Sequence, residues 1–157
     1  MKKQKTLETY EEVKEKALNL LEFRSHSEKE LTDKLKRNGA AAEHIEDVLE
    51  FCRRYGFVND EAYAVSKARD LMNLKKFGLR RIKQELRAKG ISEENIEIAL
   101  SELDTDKSNE ILEELVRKKL NGDFTPKNTA RCIRYFVYRG YDLSDIRDCI
   151  SILENEI

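Results

Sequence analysis

The chain has 157 residues, of which 39% are hydrophobic and 39% charged, and its formal net charge is −1 because 30 Lys and Arg face 31 Asp and Glu. This charged share exceeds the roughly 25% usual for globular proteins, so the composition predicts small modules with thin cores and much solvated surface. The near-neutral total argues against a purely electrostatic DNA-binding protein, although it allows a local basic face. No apolar run reaches the roughly 20 residues of a membrane span, and the N-terminus lacks the apolar region of a secretory signal.

A five-residue pattern recurs three times along the chain, about 50 residues apart, with internal spacings of four, four, six and four residues. A fixed period of this size is typical of stacked supersecondary units. We therefore predict an all-α fold of three tandem three-helix, helix-turn-helix-like repeats that form an elongated, curved molecule with an extended binding surface. The predicted repeats span residues 10–58, 59–104 and 105–157. The three copies of the pattern are Leu31, Leu35, Gly39, Ile45 and Leu49; Ile82, Leu86, Gly90, Ile96 and Leu100; and Cys132, Phe136, Gly140, Ile146 and Ile150.

Capping signals mark the ends of the predicted helices in chain order. In the first repeat, possible capping boxes pair Thr9 with Glu12 and Ser27 with Glu30, and Gly39 predicts a left-handed C-cap. In the second, Asn59 or Asp60 opens the first helix, and Gly78 precedes a helix whose predicted buried face is Leu79, Ile82 and Leu86. In the third, residues 104–108 form a candidate break between repeats, Thr125-Pro126 opens a helix, and Asp142 caps the last one.

Basic residues concentrate on the middle helix of each predicted repeat. Residues 75–89 hold seven cations against the single acid Glu85, and Arg80, Lys83 and Arg87 recur at i, i+3 and i+7, so they share one exposed helix face. This segregation favours an anionic partner, either nucleic-acid phosphate or an acidic protein surface, over an ordinary solvated surface. The candidate binding residues of the second repeat are Lys75, Lys76, Arg80, Arg81, Lys83, Arg87 and Lys89. The first repeat has a weaker cluster of Lys34, Lys36 and Arg37. The third repeat has Arg131, Arg134 and Arg139, interleaved with Tyr135 and Tyr138.

Catalytic and metal-binding patterns are missing from the sequence. There is no Gly-rich phosphate loop, GxSxG elbow or HExxH pair, and Ser27 beside His26 is better explained as an N-cap than as a nucleophile. The sequence therefore predicts a protein that is not an enzyme and needs no cofactor or metal. Cys52, Cys132 and Cys149 lack CxxC spacing and predict buried free thiols of a cytoplasmic protein, with a redox or zinc role as the alternative.

Four stretches together resemble the RecX family, the regulators of the RecA recombinase. Their order and spacing match the family's motifs from about residue 12 to residue 153. The stretches are 24–35 (RSHSEKELTDKL), 55–64 (YGFVNDEAYA), 78–91 (GLRRIKQELRAKGI) and 135–141 (YFVYRGY). The matching motif positions that carry over are Arg24, Lys34, Asp60, Arg81, Lys89 and Arg139, and all of these except Asp60 are candidate binding residues for RecA or DNA.

The resemblance implies a cytoplasmic bacterial protein, which we expect to be monomeric, acting in recombination, DNA repair and the SOS response. Members of the family lodge in the groove of the RecA–single-stranded-DNA filament and curb its ATPase and strand-exchange activities, and some also bind DNA directly. The leading hypothesis is thus a RecA modulator with no enzymatic activity of its own. There are two alternatives. One is a protein that binds single- or double-stranded DNA directly through the helix-turn-helix-like basic units, and the other is a scaffold protein with no nucleic-acid partner.

Overall fold

The computed structural model describes residues 6–157, and its secondary structure is helical. Within that range the only paired extended residues are Leu7 and Ala40, which form an isolated bridge. The prediction of an all-α fold is therefore confirmed for the described chain. The nine helices of residues 6–157 are α1 (Tyr10–Phe23), α2 (Glu28–Arg37), α3 (Ala42–Arg54), α4 (Asp60–Asn73), α5 (Leu79–Ala88), α6 (Glu93–Ser101), α7 (Thr105–Leu120), α8 (Pro126–Tyr138) and α9 (Leu143–Asn155).

The capping residues form local hydrogen bonds that explain where the helices begin. The hydroxyl oxygen of Ser27 accepts a bond from the backbone N–H of Glu30 at 3.1 Å, and the Glu30 carboxylate accepts one from the Ser27 N–H at 3.3 Å. The predicted capping box at the start of α2 is thereby confirmed. At α4, Asn59 accepts from the N–H of Ala62 at 3.1 Å, so Asn59 is the cap and Asp60 the first helical residue.

The repeated pattern describes two packed helices joined by a left-handed turn. Its apolar positions are buried in all three copies, except that Leu100 is only partly buried. The glycines Gly39, Gly90 and Gly140 have φ values of 80°, 79° and 101°. The repeat therefore marks the same succession of helix, turn and helix three times along the chain.

One expectation about a buried residue was wrong. Leu79 is 37% exposed, because it lies at the first residue of α5, and only Ile82 and Leu86, one and two turns later, are fully covered. The candidate break at residues 104–108 coincides with the start of a helix: Asp104 accepts a hydrogen bond from the N–H of Lys107 at 3.2 Å and caps α7, which begins at Thr105. The polar composition of this stretch therefore reflects a helix cap and the first turn of α7.

The described chain packs as two compact units. The first contains the residues through Ala64 together with Arg87–Ile96, and the second contains Val65–Leu86 together with Glu97–Ile157. The core of the first unit includes Val13, Ala17, Leu31, Leu35, Ile45, Val48, Leu49, Cys52 and Val58. The core of the second includes Leu112, Val116, Leu120, Cys132, Phe136, Tyr141, Ile146, Ile150 and Leu153.

The three cysteines are free thiols, with Cys52 in the core of the first unit and Cys132 and Cys149 in that of the second. Cys52 and Cys132 are buried, as predicted, whereas Cys149 is only half-buried. Burial, assisted by nearby acidic groups such as Glu113, raises the pKa of Cys149 to about 11. All three thiols are therefore held in the protonated form, which is a poor nucleophile.

Candidate interaction surfaces

In the first unit, a buried carboxylate holds two of the predicted binding residues. The Glu30 side chain is only 10% exposed, and its carboxylate accepts a hydrogen bond from Arg24 at 2.8 Å while the Lys89 ammonium lies 3.4 Å away. Burial opposes ionisation of Glu30, but hydrogen bonds from Arg24, Tyr63 and Ser27 outweigh it and lower its pKa to about 2. Arg24 and Lys89 therefore have an internal structural partner.

Lys34, a third predicted residue, contacts a buried histidine. The ring of His26 is covered, and its Nδ1 lies 2.9 Å from the carbonyl oxygen of Arg24. Since a carbonyl can only accept, Nδ1 carries the proton, and Nε2 accepts a bond from the Lys34 ammonium at 2.8 Å. Burial lowers the pKa of His26 and also that of Lys34, so the imidazole is held neutral.

The first two family-like stretches and the end of the third, from Arg87 onward, meet in this unit. The Ser27 hydroxyl donates to the carbonyl oxygen of Lys89 at 2.7 Å, and the Asp60 carboxylate accepts from the N–H of Glu28 at 2.9 Å. Sequence reasoning took Arg24 and Lys89 as binding residues, whereas the structure gives both of them, and the motif position Asp60, hydrogen bonds within the unit. The pattern of charges along the sequence carries no signal for this convergence, because the partners are 32 and 62 residues apart.

In the second unit, the turn between α4 and α5 is held by the end of α8. The Gly78 N–H donates to the Arg139 carbonyl at 3.0 Å, and the Arg80 N–H donates to the Gly140 carbonyl at 3.1 Å. These bonds satisfy amide donors at the N-terminus of α5 that have no partner within the helix. In return the Arg139 guanidinium donates to the carbonyl of Lys75, and the Tyr141 hydroxyl donates to the carbonyl of Lys76 at 2.9 Å.

Two arginines flank an aromatic ring beside this turn. The guanidinium carbons of Arg81 and Arg139 lie 4.7 and 4.6 Å from the centroid of the Phe77 ring, and Arg81 also lies 5.4 Å from that of Tyr138. Arg81 forms an ion pair with Glu85 at 2.9 Å. Cations over aromatic faces are attracted by the ring quadrupole, so these two arginines are held in place from within the unit.

The same turn borders a basic cavity of about 500 Å³. It brings together three of the predicted residues, Lys75, Lys76 and Arg139. Lys118 and Lys119, in the last turn of α7, also line it, and sequence reasoning missed them. The basic run 117–119 was their only signal, and such a run is common at helix ends because cations there favour the helix dipole. The apolar part of the lining is Leu74, Leu115, Tyr135 and Phe136.

The remaining predicted residues are exposed to different degrees. Arg80 forms an exposed ion pair with Asp142 at 2.9 Å, and Arg87 forms one with Glu93 at 2.5 Å. Arg131 and Arg134 are exposed on α8 and form no ion pair within residues 6–157. Lys83 is half-buried on α5 and has partners of its own.

No group of three or more His, Cys, Asp or Glu side chains in residues 6–157 is arranged to hold a metal ion. None of the helices in that range is long and apolar enough to span a membrane.

These features define an all-α protein of three-helix modules that presents basic surfaces. Family models for the first and second three-helix domains of RecX match residues 14–52 and 59–100. The chain belongs to the RecX family, and the prediction of tandem three-helix repeats is confirmed with it. It is 36% identical over 140 residues to the regulatory protein RecX of Vibrio vulnificus (strain CMCP6), covering 88% of this chain and 90% of that protein.

More distant relatives agree in sequence and fold. The chain is 34% identical over 151 residues to the regulatory protein RecX of Clostridioides difficile (strain 630), covering 94% of this chain and 71% of that protein. The crystal structure of RecX from Lactobacillus salivarius superimposes with a TM-score of 0.82 at 25% identity, covering 92% of this chain and 96% of that one. These relatives bear the name of regulatory proteins, which places this chain in a regulatory family.

Proposed function

We propose that this protein is a cytoplasmic, non-enzymatic regulator that binds the RecA–single-stranded-DNA filament and inhibits its ATPase and strand-exchange activities. The observation that carries the proposal is the family match over 88 to 94% of the chain. The three proposed modules, residues 10–58, 59–104 and 105–157, would each make modest contacts with the filament. Several such contacts on one chain reinforce one another through effective concentration.

The surface chemistry supports an anionic partner. The basic cavity offers five cations, of which Lys118 is paired with Glu114, and the exposed cations Arg131 and Arg134 form no ion pair within residues 6–157. Arg80 and Arg87 form only exposed ion pairs, which contribute little to stability and can be exchanged for contacts with a partner. Arg24, Lys34 and Lys89 are proposed as contacts in the first unit, because their partners within that unit hold them in position and the side chains of Arg24 and Lys89 remain 43% and 34% exposed.

The ATPase activity of RecA on single-stranded DNA tests the proposal when this protein is titrated well below one molecule per RecA subunit. We expect inhibition at those ratios, because one molecule that contacts several RecA subunits of the filament would inhibit the ATPase activity of all of them. Inhibition that appears only when the protein exceeds the available DNA sites would point to competition for DNA. A lack of inhibition at every ratio would refute the proposal.

A charge-reversal variant tests whether the basic face of α5 is part of the contact. Arg80→Glu with Arg87→Glu removes two exposed cations and two exposed ion pairs, so we expect unchanged helicity by circular dichroism and weaker inhibition. Undiminished inhibition by this variant would remove α5 from the proposed interface.

Direct DNA binding is the second candidate function. Helix α8 favours it, because its exposed arginines Arg131 and Arg134 lie on the same helix as Tyr135 and Tyr138, which are 42% and 73% exposed. Exposed aromatic rings and cations together are typical of surfaces that bind single strands. Binding to naked DNA that falls steeply with salt would support this candidate.

A further inference from the structure

The basic cavity of the second unit has an unbalanced charge. Five of its nine lining residues are cations, namely Lys75, Lys76, Lys118, Lys119 and Arg139, and none is a carboxylate. The nearby acid Glu114 is engaged with Lys118 at 3.1 Å. Like charges gathered around one cavity repel each other and destabilise the fold, so such an arrangement favours a bound anion.

Hydrogen bonds fix the backbone at Lys75 and Lys76 in the absence of a ligand. The carbonyls of Lys75 and Lys76 accept hydrogen bonds from Arg139 and from the Tyr141 hydroxyl. Lys76 has a φ of 57°, a left-handed conformation that costs free energy for a residue with a side chain. Strained residues that are fixed by their surroundings are concentrated at functional sites, since the strain pre-positions the side chain.

Two aromatic side chains, Tyr135 and Phe136, complete the lining of the cavity. Phe136 is buried, whereas Tyr135 is 42% exposed, and the two rings meet edge to face with centroids 5.0 Å apart. The Lys119 ammonium lies 4.2 Å from the centroid of the Tyr135 ring. Cationic groups and an exposed ring therefore lie side by side, and a ligand that joins phosphates to a flat base would take the Lys119 ammonium onto its phosphates and place its base on the ring.

The size of the cavity is compatible with a small ligand. Its volume of about 500 Å³ falls within the range of roughly 300–1,000 Å³ typical of small-ligand sites. We propose that this cavity binds a nucleoside polyphosphate, with its phosphates on the lysines and Arg139 and its base against Tyr135. This ligand site goes beyond the proposed function and does not depend on it.

Isothermal titration calorimetry of the full chain with ATP, at low salt and without divalent cations, tests the proposal. We expect saturable one-to-one binding, and we expect ATP to raise the melting temperature of the protein because it binds only the folded state. The variant Lys75→Gln with Lys119→Gln should weaken binding about tenfold or more, since it removes two charge-assisted contacts. Lys107→Gln with Lys127→Gln removes the same charge from exposed lysines outside the cavity and should leave the affinity unchanged.

The contribution of the base is tested separately. Tyr135→Ala should weaken ATP binding, whereas Tyr138→Ala, an exposed tyrosine outside the cavity lining, should not. ATP should also bind more tightly than inorganic triphosphate, and adenosine should not bind measurably. Thermal melting of each variant without ligand shows whether it has folded.

Several results would overturn the proposal. These are a failure of ATP to bind, an equal loss of affinity in the two double-lysine variants, or equal affinity for ATP and triphosphate. The proposal is also wrong if a single-stranded oligonucleotide or an acidic peptide binds in a Lys75- and Lys119-dependent manner and ATP does not displace it. None of these measurements involves RecA, so their failure is distinct from a failure of the proposed function.

Discussion

Glu30 carries a negative charge that folding has largely removed from water. Its carboxylate is compensated by hydrogen bonds from Arg24, Tyr63 and Ser27 and by the nearby ammonium of Lys89. A buried charge with several donors stabilises the fold only as long as it stays ionised, and its removal leaves the donors uncompensated. At the residue scale, then, part of the basic character of the sequence serves the interior of the first unit.

The substitution Glu30→Gln tests this structural role. We expect the free energy of unfolding at neutral pH to fall by about 2 kcal/mol, because the variant keeps the shape but loses the charge that pairs with Arg24. The folded-state pKa of about 2 lies below the ordinary value of 4.5, so the stabilisation by Glu30 is present above pH 4.5 and is lost as the pH falls from there towards 2. Urea unfolding at pH 7 and pH 3 should show a smaller acid-induced loss of stability in the variant.

An exposed glutamate provides the control. Glu61→Gln removes the same charge from an exposed position in the first turn of α4 and should change the free energy of unfolding by no more than about 0.5 kcal/mol. Equal losses in the two variants would contradict the structural role of Glu30.

At the scale of elements, the second unit depends on a close approach between the start of α5 and the end of α8. Gly140 has a φ of 101°, and a Cβ atom added there would collide with the backbone and side chain of Arg81. The approach lets the Gly140 carbonyl accept the N–H of Arg80 at 3.1 Å. The glycine of the repeat therefore serves as a turn residue and also as a contact surface for the next helix.

The substitution Gly140→Ala should therefore destabilise the protein by about 2–4 kcal/mol, since it adds a backbone clash to the strain of a left-handed conformation. Gly56→Ala is a matched control, because Gly56 has a φ of 73° but no atom lies within 4 Å of an added Cβ. We expect that variant to lose only about 1 kcal/mol. Thermal and urea unfolding measure both losses, and similar values for the two would show that the close approach contributes nothing.

At the scale of the whole molecule, the distribution of charge matters more than its sum. The formal net charge is −1, so the protein as a whole is not attracted to a polyanion. The exposed arginines of α8 and the basic cavity provide local attraction instead. Local patches act at short range, because salt screens charges beyond about 8 Å at physiological ionic strength.

Two double variants that lose the same charge distinguish the effect of the α8 surface from the effect of the total charge of the protein. Arg131→Gln with Arg134→Gln should raise the concentration needed for half-maximal inhibition of the RecA ATPase by about fivefold or more, because the residues proposed to face the filament are lost. Lys107→Gln with Arg147→Gln also removes two exposed positive charges and should have little effect. Comparable effects of the two variants would mean that total charge, and not the α8 surface, governs binding.

The sequence by itself determined the helices, their caps and the repeated core. These features depend on residues within a few positions of one another: Ser27 with Glu30 is a local hydrogen-bonding pair, and the apolar spacing of four residues places Leu31 and Leu35 on one helix face. The family resemblance was likewise accessible, since it requires only the order and spacing of residues. The polar stretch 104–108 also has a local origin, because Asp104 caps α7 and the residues after it form the first turn of that helix.

Only the tertiary structure decided which basic residues face outward and which serve the interior. Arg24 and Lys89 are 65 positions apart in the chain and share the carboxylate of Glu30. Lys75 and Lys118 belong to different predicted repeats and line the same cavity. A charge pattern in one dimension records the sign and spacing of side chains, whereas partners and cavities depend on packing between segments that are distant in sequence.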